Sequence, residues 1–409
     1  MNTLRACLGT FTKKIPFLHK VMVTIYHLII FEVIPRFRYK KNSKLIKKSS
    51  SLEGFLSLQK IRVLKASNIK INTDKNLISY LKKNKIPFKE GGWTIYLPPS
   101  EKLKKIFPKL NIYPKDSGLK ILRDLKAPEY ASYTPDKLRP SPGAKFVRSR
   151  TPNPMELLRL AGRLKIQGLG NDVYDLIEVK FNSIRATAYI VEHVKGKKVS
   201  SEVTYKKFII NLKKELEKGV IGISHGDYRM SKDFRSPDCN GNLLSNVNED
   251  PIYIDFQSFY YQDELSAFND WVSENSKNIL FGPKRLGKGS DYLYQLIPGI
   301  GNAKRSTIER WEKIDNLIAK SHFSLQDKYT FDVGCNSGLM SYFALSRGAI
   351  WSYGWDQLNV AIASKKLLRL LGASRWTTIG GEINNKTNFK KSLGDHKINN
   401  TQGVLFYLA

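Results

Sequence analysis

The stretch YTFDVGCNSGLMSYFALSRGA, residues 329–349, reads as an apolar strand that carries an acid, a glycine turn, and the opening of a helix. Asp332 stands near the end of the strand. Gly334 and Gly338 stand where the backbone must reverse and come close to a ligand with no Cβ in the way. Between them, Asn336 offers a short polar side chain. The helix that follows would aim its first amides at the same place, where negative charge is favoured. The pattern then repeats. WSYGWD (351–356) is a second strand ending in Asp356, 24 residues after Asp332. NVAIASKKLLRLLGA is a helix, RWTTIGG a third strand and GVLFYLA a fourth. Strands alternating with helices give a parallel sheet. An acid at the end of the second strand of such a sheet commonly grips ribose hydroxyls.

A different chemistry lies upstream. YKKFIINLKKELEKG has the spacing of an amphipathic helix closed by Gly219, and GISHGDYRMSKDF and PIYIDFQSF follow it. Asp227 comes directly after His-Gly, and Asp255 closes an apolar strand. Phosphoryl transfer needs one carboxylate to orient the attacking hydroxyl and another to hold the magnesium on the nucleotide phosphates. NPMELLRLAGRL reads as a helix capped by Asn153, with Pro154 in its first turn, and VYDLIEV and ATAYIVEHV read as strands.

The upstream series, over about residues 115–275, resembles the protein-kinase-like superfamily, closest to its small-molecule and sugar kinases with His-Gly-Asp loops. The resemblance implies that Asp227 is the catalytic carboxylate and that Asp255, in Asp-Phe-Gln, is the metal ligand. It implies that Lys145 in GAKFV contacts the nucleotide phosphates, with Glu156 as its ion-pair partner. It also implies that VEHV, with Glu192, is the segment whose backbone grips adenine. The family's second metal ligand, an Asn, is replaced by Lys232. The role either is lost or moves to Asn242, 13 residues before Asp255. A clear glycine-rich phosphate loop is missing.

The series from 329 onward resembles class I S-adenosylmethionine-dependent methyltransferases: DVGCNSG matches their first motif and Asp356 their acidic ribose ligand. The spacing also suits a dinucleotide fold, but Gly-x-Gly-x-x-Gly is absent. The resemblance implies that Asp332, Gly334, Asn336, Gly338 and Asp356 hold S-adenosylmethionine, and that Cys335 is a small turn residue rather than a nucleophile. The expected fold class is therefore α/β and α+β multidomain, with a kinase-like two-lobed module followed by a partial Rossmann-like doubly wound methyltransferase sheet. The expected divisions are an apolar and basic leader (1–54), a small α+β unit (55–126) that stands alone or forms part of the kinase-like N-terminal lobe, the kinase-like region (127–275), a helical linker (276–325) and a partial methyltransferase domain (326–409).

Composition bounds the partners. The 409 residues carry 68 Lys+Arg against 36 Asp+Glu, a net charge of +32, and such a surface attracts phosphates, nucleic acid or anionic lipid. Lys, Asn and Ile are abundant throughout, as low-GC coding also produces, so the charge alone names no partner. Three cysteines without metal-ligand spacing give neither a disulfide framework nor a zinc site, and fit a reducing cytosol. FLHKVMVTIYHLIIFEVI (17–34) is interrupted by charge, which argues against a membrane span. With the basic run RFRYKKNSKLIKK behind it, it reads as an interfacial helix or a buried one.

Three functions fit. One is a bifunctional transferase that uses S-adenosylmethionine, and ATP with Mg²⁺, on a glycan or lipid-linked sugar, cytoplasmic or peripheral to an anionic membrane. The others are a nucleic-acid methyltransferase and a non-catalytic kinase-like scaffold.

Overall fold

The computed structural model describes residues 52–58, 61–66, 74–90, 94–122, 154–181, 184–199, 201–223, 242–275 and most of 293–382, together with 390, 393, 396 and 402–408. The protein is mixed α/β with several sheets. Helix α1 (Leu52–Leu56), strand β1 (Arg62–Lys65), helix α2 (Asp74–Lys83), strands β2 (Lys89–Glu90) and β3 (Thr94–Leu97), helix α3 (Glu101–Ile106) and strand β4 (Ser117–Leu122) come first. Helix α4 (Pro154–Ile166) and the long hairpin β5 (Val173–Phe181) and β6 (Ile184–Glu192) follow. These six strands make one sheet in the order β1-β5-β6-β4-β3-β2. It is antiparallel except where β1 lies parallel to β5, so it takes strands from both 55–126 and 127–275.

Strand β7 (Lys197–Lys198), helix α5 (Glu202–Glu217) and strand β8 (Ile221–Ile223) lead to the short hairpin β9 (Leu243–Ser245) and β10 (Pro251–Tyr253), then β11 (Phe259–Tyr261) and helix α6 (Glu264–Asn275). The side chain of Ser201 caps α5 by accepting from the Thr204 amide. Gly219, at φ +67°, ends the helix as its position in the sequence predicts.

Strands β12 (Leu293–Gln295) and β13 (Ala303–Arg305) and helix α7 (Thr307–Lys320) precede the second large sheet. That sheet is built from β14 (Tyr329–Val333), helix α8 (Leu339–Ser346), β15 (Trp351–Asp356), helix α9 (Leu358–Leu370), β16 (Trp376–Gly380) and β17 (Gly403–Phe406). Its order is β16-β15-β14-β17, with every pair parallel. Parallel strands need covered faces, and the side chains of β15 show how this is met. Ser352 and Gly354 face α8, and Gly354 leaves room for Cys335. Trp351, Tyr353 and Trp355 point the other way, into an apolar cluster shared with Leu119, Ile121, Ile177 and Val179 of the first sheet.

The two halves are therefore packed on each other. Helix α4 crosses α9 at Gly162, where a Cβ would come within 2.2 Å of the Arg369 carbonyl oxygen. Trp271 donates from its indole to the Ala363 carbonyl at 3.0 Å, and Tyr342 from its hydroxyl to that of Phe55 at 3.1 Å. Beneath α4, Arg163 makes a bidentate bond to Glu215 at 2.9 and 3.1 Å and reaches Asp270 at 2.6 Å. This buried cation is saturated by carboxylates, the condition under which a buried charge is tolerated. Among the described residues, no helix is long and apolar enough to cross a membrane. Residues 1–51, with the basic run, lie outside the described residues.

Candidate functional site

The glycine turn of 329–349 is built as its residues dictate. Strand β14 ends at Val333, and three residues of the turn take left-handed backbone: Gly334 (φ +75°), Asn336 (φ +50°) and Gly338 (φ +79°). At Gly338 a Cβ would lie 2.5 Å from the Ser364 hydroxyl of α9, so glycine lets helix and turn approach. At Gly334 a Cβ would meet nothing within 4 Å, so this part of the turn faces open space. The amides of Gly334 and Cys335 both donate to the Trp355 carbonyl, at 2.8 and 2.9 Å, which ties the turn to the end of β15.

Asp356 completes the arrangement. One carboxylate oxygen accepts from the Asn336 amide at 2.8 Å and the other from the Gln357 amide at 2.8 Å. Each oxygen keeps a further lone pair. The strand-end acid therefore shapes the turn and still has acceptor capacity toward hydroxyls. Asp332 is 4% exposed, and its Oδ2 has no hydrogen-bond partner among the described residues. Burial pushes its carboxyl up to about 7; the charge of Arg310 on α7 opposes this and Asp356 reinforces it. The side-chain oxygen of Asn336 is likewise buried without a partner. The Ser337 hydroxyl donates to Gln295 of β12 at 2.6 Å, so the segment before α7 lies against the turn. Cys335 is buried and its thiol is pushed well above its ordinary range, chiefly by burial, as suits a packing residue rather than a nucleophile.

The upstream residues divide differently. Hairpin β9–β10 brings Asn242 and Asp255 to one end, with the Ile254 amide donating to the Asn242 carbonyl at 2.9 Å. There Asp255 meets Lys120 of β4, Nζ to Oδ1 2.9 Å. The same ammonium lies 3.4 Å from the Ile254 carbonyl and 5.0 Å from the centre of the Phe256 ring. Asp227, Lys145 and Lys232 lie outside the described residues. Glu156 sits in the first turn of α4.

Glu192 is engaged: its carboxylate accepts from Lys165 at 3.1 Å and from the Asp172 amide at 2.9 Å. Its carbonyl accepts from the Asn171 side chain at 3.1 Å. Next to it, the Tyr96 hydroxyl and His193 Nδ1 are 2.8 Å apart, and their rings are stacked.

The structure thus gathers Asp332, Gly334, Asn336, Gly338 and Asp356 at one place, and Asn242 and Asp255 at another. Glu192 lies at the end of β6, with Lys165 as its partner. The residue that sequence reasoning missed is Lys120. Its signal is present in SGLKIL, a lysine alone in an apolar strand, with Asp255 as a candidate partner at a distant strand end. Among the described residues no group of three or more His, Cys, Asp or Glu side chains gathers to hold a metal ion. A scan against protein-family models and a search of curated proteins each found no match.

Proposed function

We propose that the protein is a transferase that binds S-adenosylmethionine at the turn between β14 and α8. The observation that carries this reading is the pairing of the Asp356 carboxylate with the Asn336 amide across a glycine turn. A strand-end acid and the ligand-facing backbone are thereby held in one rigid unit. The local chemistry fits the cofactor. Gly334 leaves open space, Asn336 has an unsatisfied buried oxygen beside it, and Asp356 can accept from ribose hydroxyls. When bound, the cofactor supplies an electrophilic methyl group. The chain supplies alignment and exclusion of water around it.

The Lys120–Asp255 pair supports a second, phosphotransfer activity in the upstream half. Lys120, rather than Lys145, is the lysine we assign to face nucleotide phosphates. Asp255 with Asn242 would hold Mg²⁺, and Asp227 would orient the acceptor hydroxyl. The +32 charge suits an anionic acceptor, a lipid-linked or phosphorylated glycan, presented at an anionic membrane.

Calorimetric titration of the full chain with S-adenosylmethionine, and separately with MgADP, tests both halves. The reading expects the first to bind in wild type and to be lost in Asp356→Ala. It expects the second to be lost in Asp255→Asn with the first retained. A folded chain that binds neither ligand overturns it.

A further inference from the structure

The two halves enclose a cleft of about 240 Å³ that lies apart from the glycine turn and from the Asn242–Asp255 pair, and shares Lys165 and Asp172 with the surroundings of Glu192. Helix α4 contributes Leu158, Gly162 and Lys165, and α9 contributes Lys365 and Arg369. The start of β5 adds Asp172 and Tyr174, and the start of β16 adds Arg375, Trp376 and Thr378. The glycine turn sits at the C-terminal ends of β14 and β15, whereas this cleft opens at the N-terminal ends of β15 and β16, on the opposite edge of the sheet.

Its charge is unbalanced. Four cations line it, Lys165, Lys365, Arg369 and Arg375, with one acid, Asp172; Lys165 also reaches Glu192, just outside the lining, at 3.1 Å. Asp172 is held by Arg369 at 2.7 Å and by Lys165 at 3.4 Å. Arg375 is buried against the carbonyl oxygens of Ala349 and Ile350 and lies 3.5 Å from Asp175. Lys365 has neither an ion-pair nor a hydrogen-bond partner among the described residues. Its ammonium is held below the ordinary lysine range, first by lost hydration against the wall and then by the positive charge of Arg369; Asp172 opposes and Lys165 adds to the lowering. The buried Thr378 hydroxyl oxygen also has no partner among the described residues. Aromatic walls from Tyr174, Trp351 and Trp376 complete the lining.

We propose that this cleft is a binding site for a compact phosphomonoester carrying a flat ring, its phosphate held by Lys365 beside Arg369 and its ring against the Tyr174 and Trp376 walls. A dianion there would give Lys365 a partner and offset the positive charge of Arg369 and Lys165 beside it. The volume is small beside the usual 300–1,000 Å³ of ligand pockets. It therefore suits a monophosphate rather than a triphosphate. Because the cleft is shared between α4 and α9, a ligand in it would bind to both halves at once.

The test uses adenosine monophosphate as the probe, titrated into the full chain by calorimetry, with inorganic phosphate as competitor. Lys365→Glu should weaken binding at least about tenfold, the equivalent of one modest charge contact. Lys206→Ala, on the exposed face of α5 and outside the cleft, should leave it unchanged. Inorganic phosphate should compete, more weakly than the monophosphate binds. Unchanged binding in a folded Lys365→Glu chain, loss of binding in Lys206→Ala, failure of phosphate to compete, or absence of any binding by wild type would each overturn the proposal.

Discussion

Two aspartates of this chain stand at the ends of apolar strands, and the protein treats them in opposite ways. Asp255, after β10, is met by the Lys120 ammonium at 2.9 Å. Asp332, in β14, is buried with an oxygen that has no partner among the described residues, and its carboxyl titrates near 7. Sequence alone makes the two look equivalent, an acid closing a hydrophobic run. The difference is that Asp255 receives a cation from a strand 135 residues away in the chain, whereas Asp332 receives burial, reinforced by the charge of Asp356 and opposed by that of Arg310. Dry burial favours the neutral acid, which can donate a hydrogen bond.

The largest effect should come from removing the dry acid. With its carboxyl raised from 3.8 to about 7, folded Asp332 holds a proton that the unfolded chain releases. Its contribution to stability is therefore full below pH 4, falls as pH rises through 7, and is flat above. Asp332→Asn should remove that decline and stabilise the protein at pH 8 by roughly 2–4 kcal/mol, at about 1.4 kcal/mol per pKa unit. Denaturant melts of both chains at pH 5 and pH 8 measure it. An equal difference between the chains at the two pH values would erase the contrast.

Next is the paired acid. Lys120→Met leaves Asp255 part-buried and uncompensated, which should cost about 3 kcal/mol, and the double change Lys120→Met with Asp255→Asn should recover most of it. Additive losses in that cycle would mean that the two side chains do not interact. A smaller effect is expected at the turn itself. Asp356→Ala removes acceptors from the Asn336 and Gln357 amides, and should cost about 1–2 kcal/mol of stability. The smallest sets the baseline. Lys206 and Glu202 form an exposed i,i+4 pair on α5, and Lys206→Ala should change stability by no more than about 0.5 kcal/mol.

The comparison also explains what could be read from the sequence. The glycine turn and the four parallel strands were legible because their information is local. Gly334, Asn336 and Gly338 fall within five residues, and each strand alternates with a helix of regular spacing. The helix starting at Pro154 and the helix ended by Gly219 carry their signals in the same way. Asn242 lies beside Asp255 because the short hairpin β9–β10 joins them, a turn that was not read from the sequence.

Lys120 was not, because its partner lies 135 residues downstream and the lysine belongs to a strand whose place in the sheet the sequence does not state. The pairing of β4 with β6 joins 55–126 to the hairpin downstream, a contact between strands more than 60 residues apart that no local pattern specifies. Nor did the sequence announce that α4 would lie across α9 at Gly162, since a glycine within a helix has no single meaning until its neighbour is known.

The central claim is that the turn between β14 and α8 is a nucleoside-cofactor site. A crystal structure of the chain grown with S-adenosylhomocysteine tests it most directly. The expected result is the ligand seated at Gly334–Gly338 with its ribose hydroxyls on the Asp356 carboxylate. A ligand bound elsewhere, or an empty turn at saturating concentration, would contradict it.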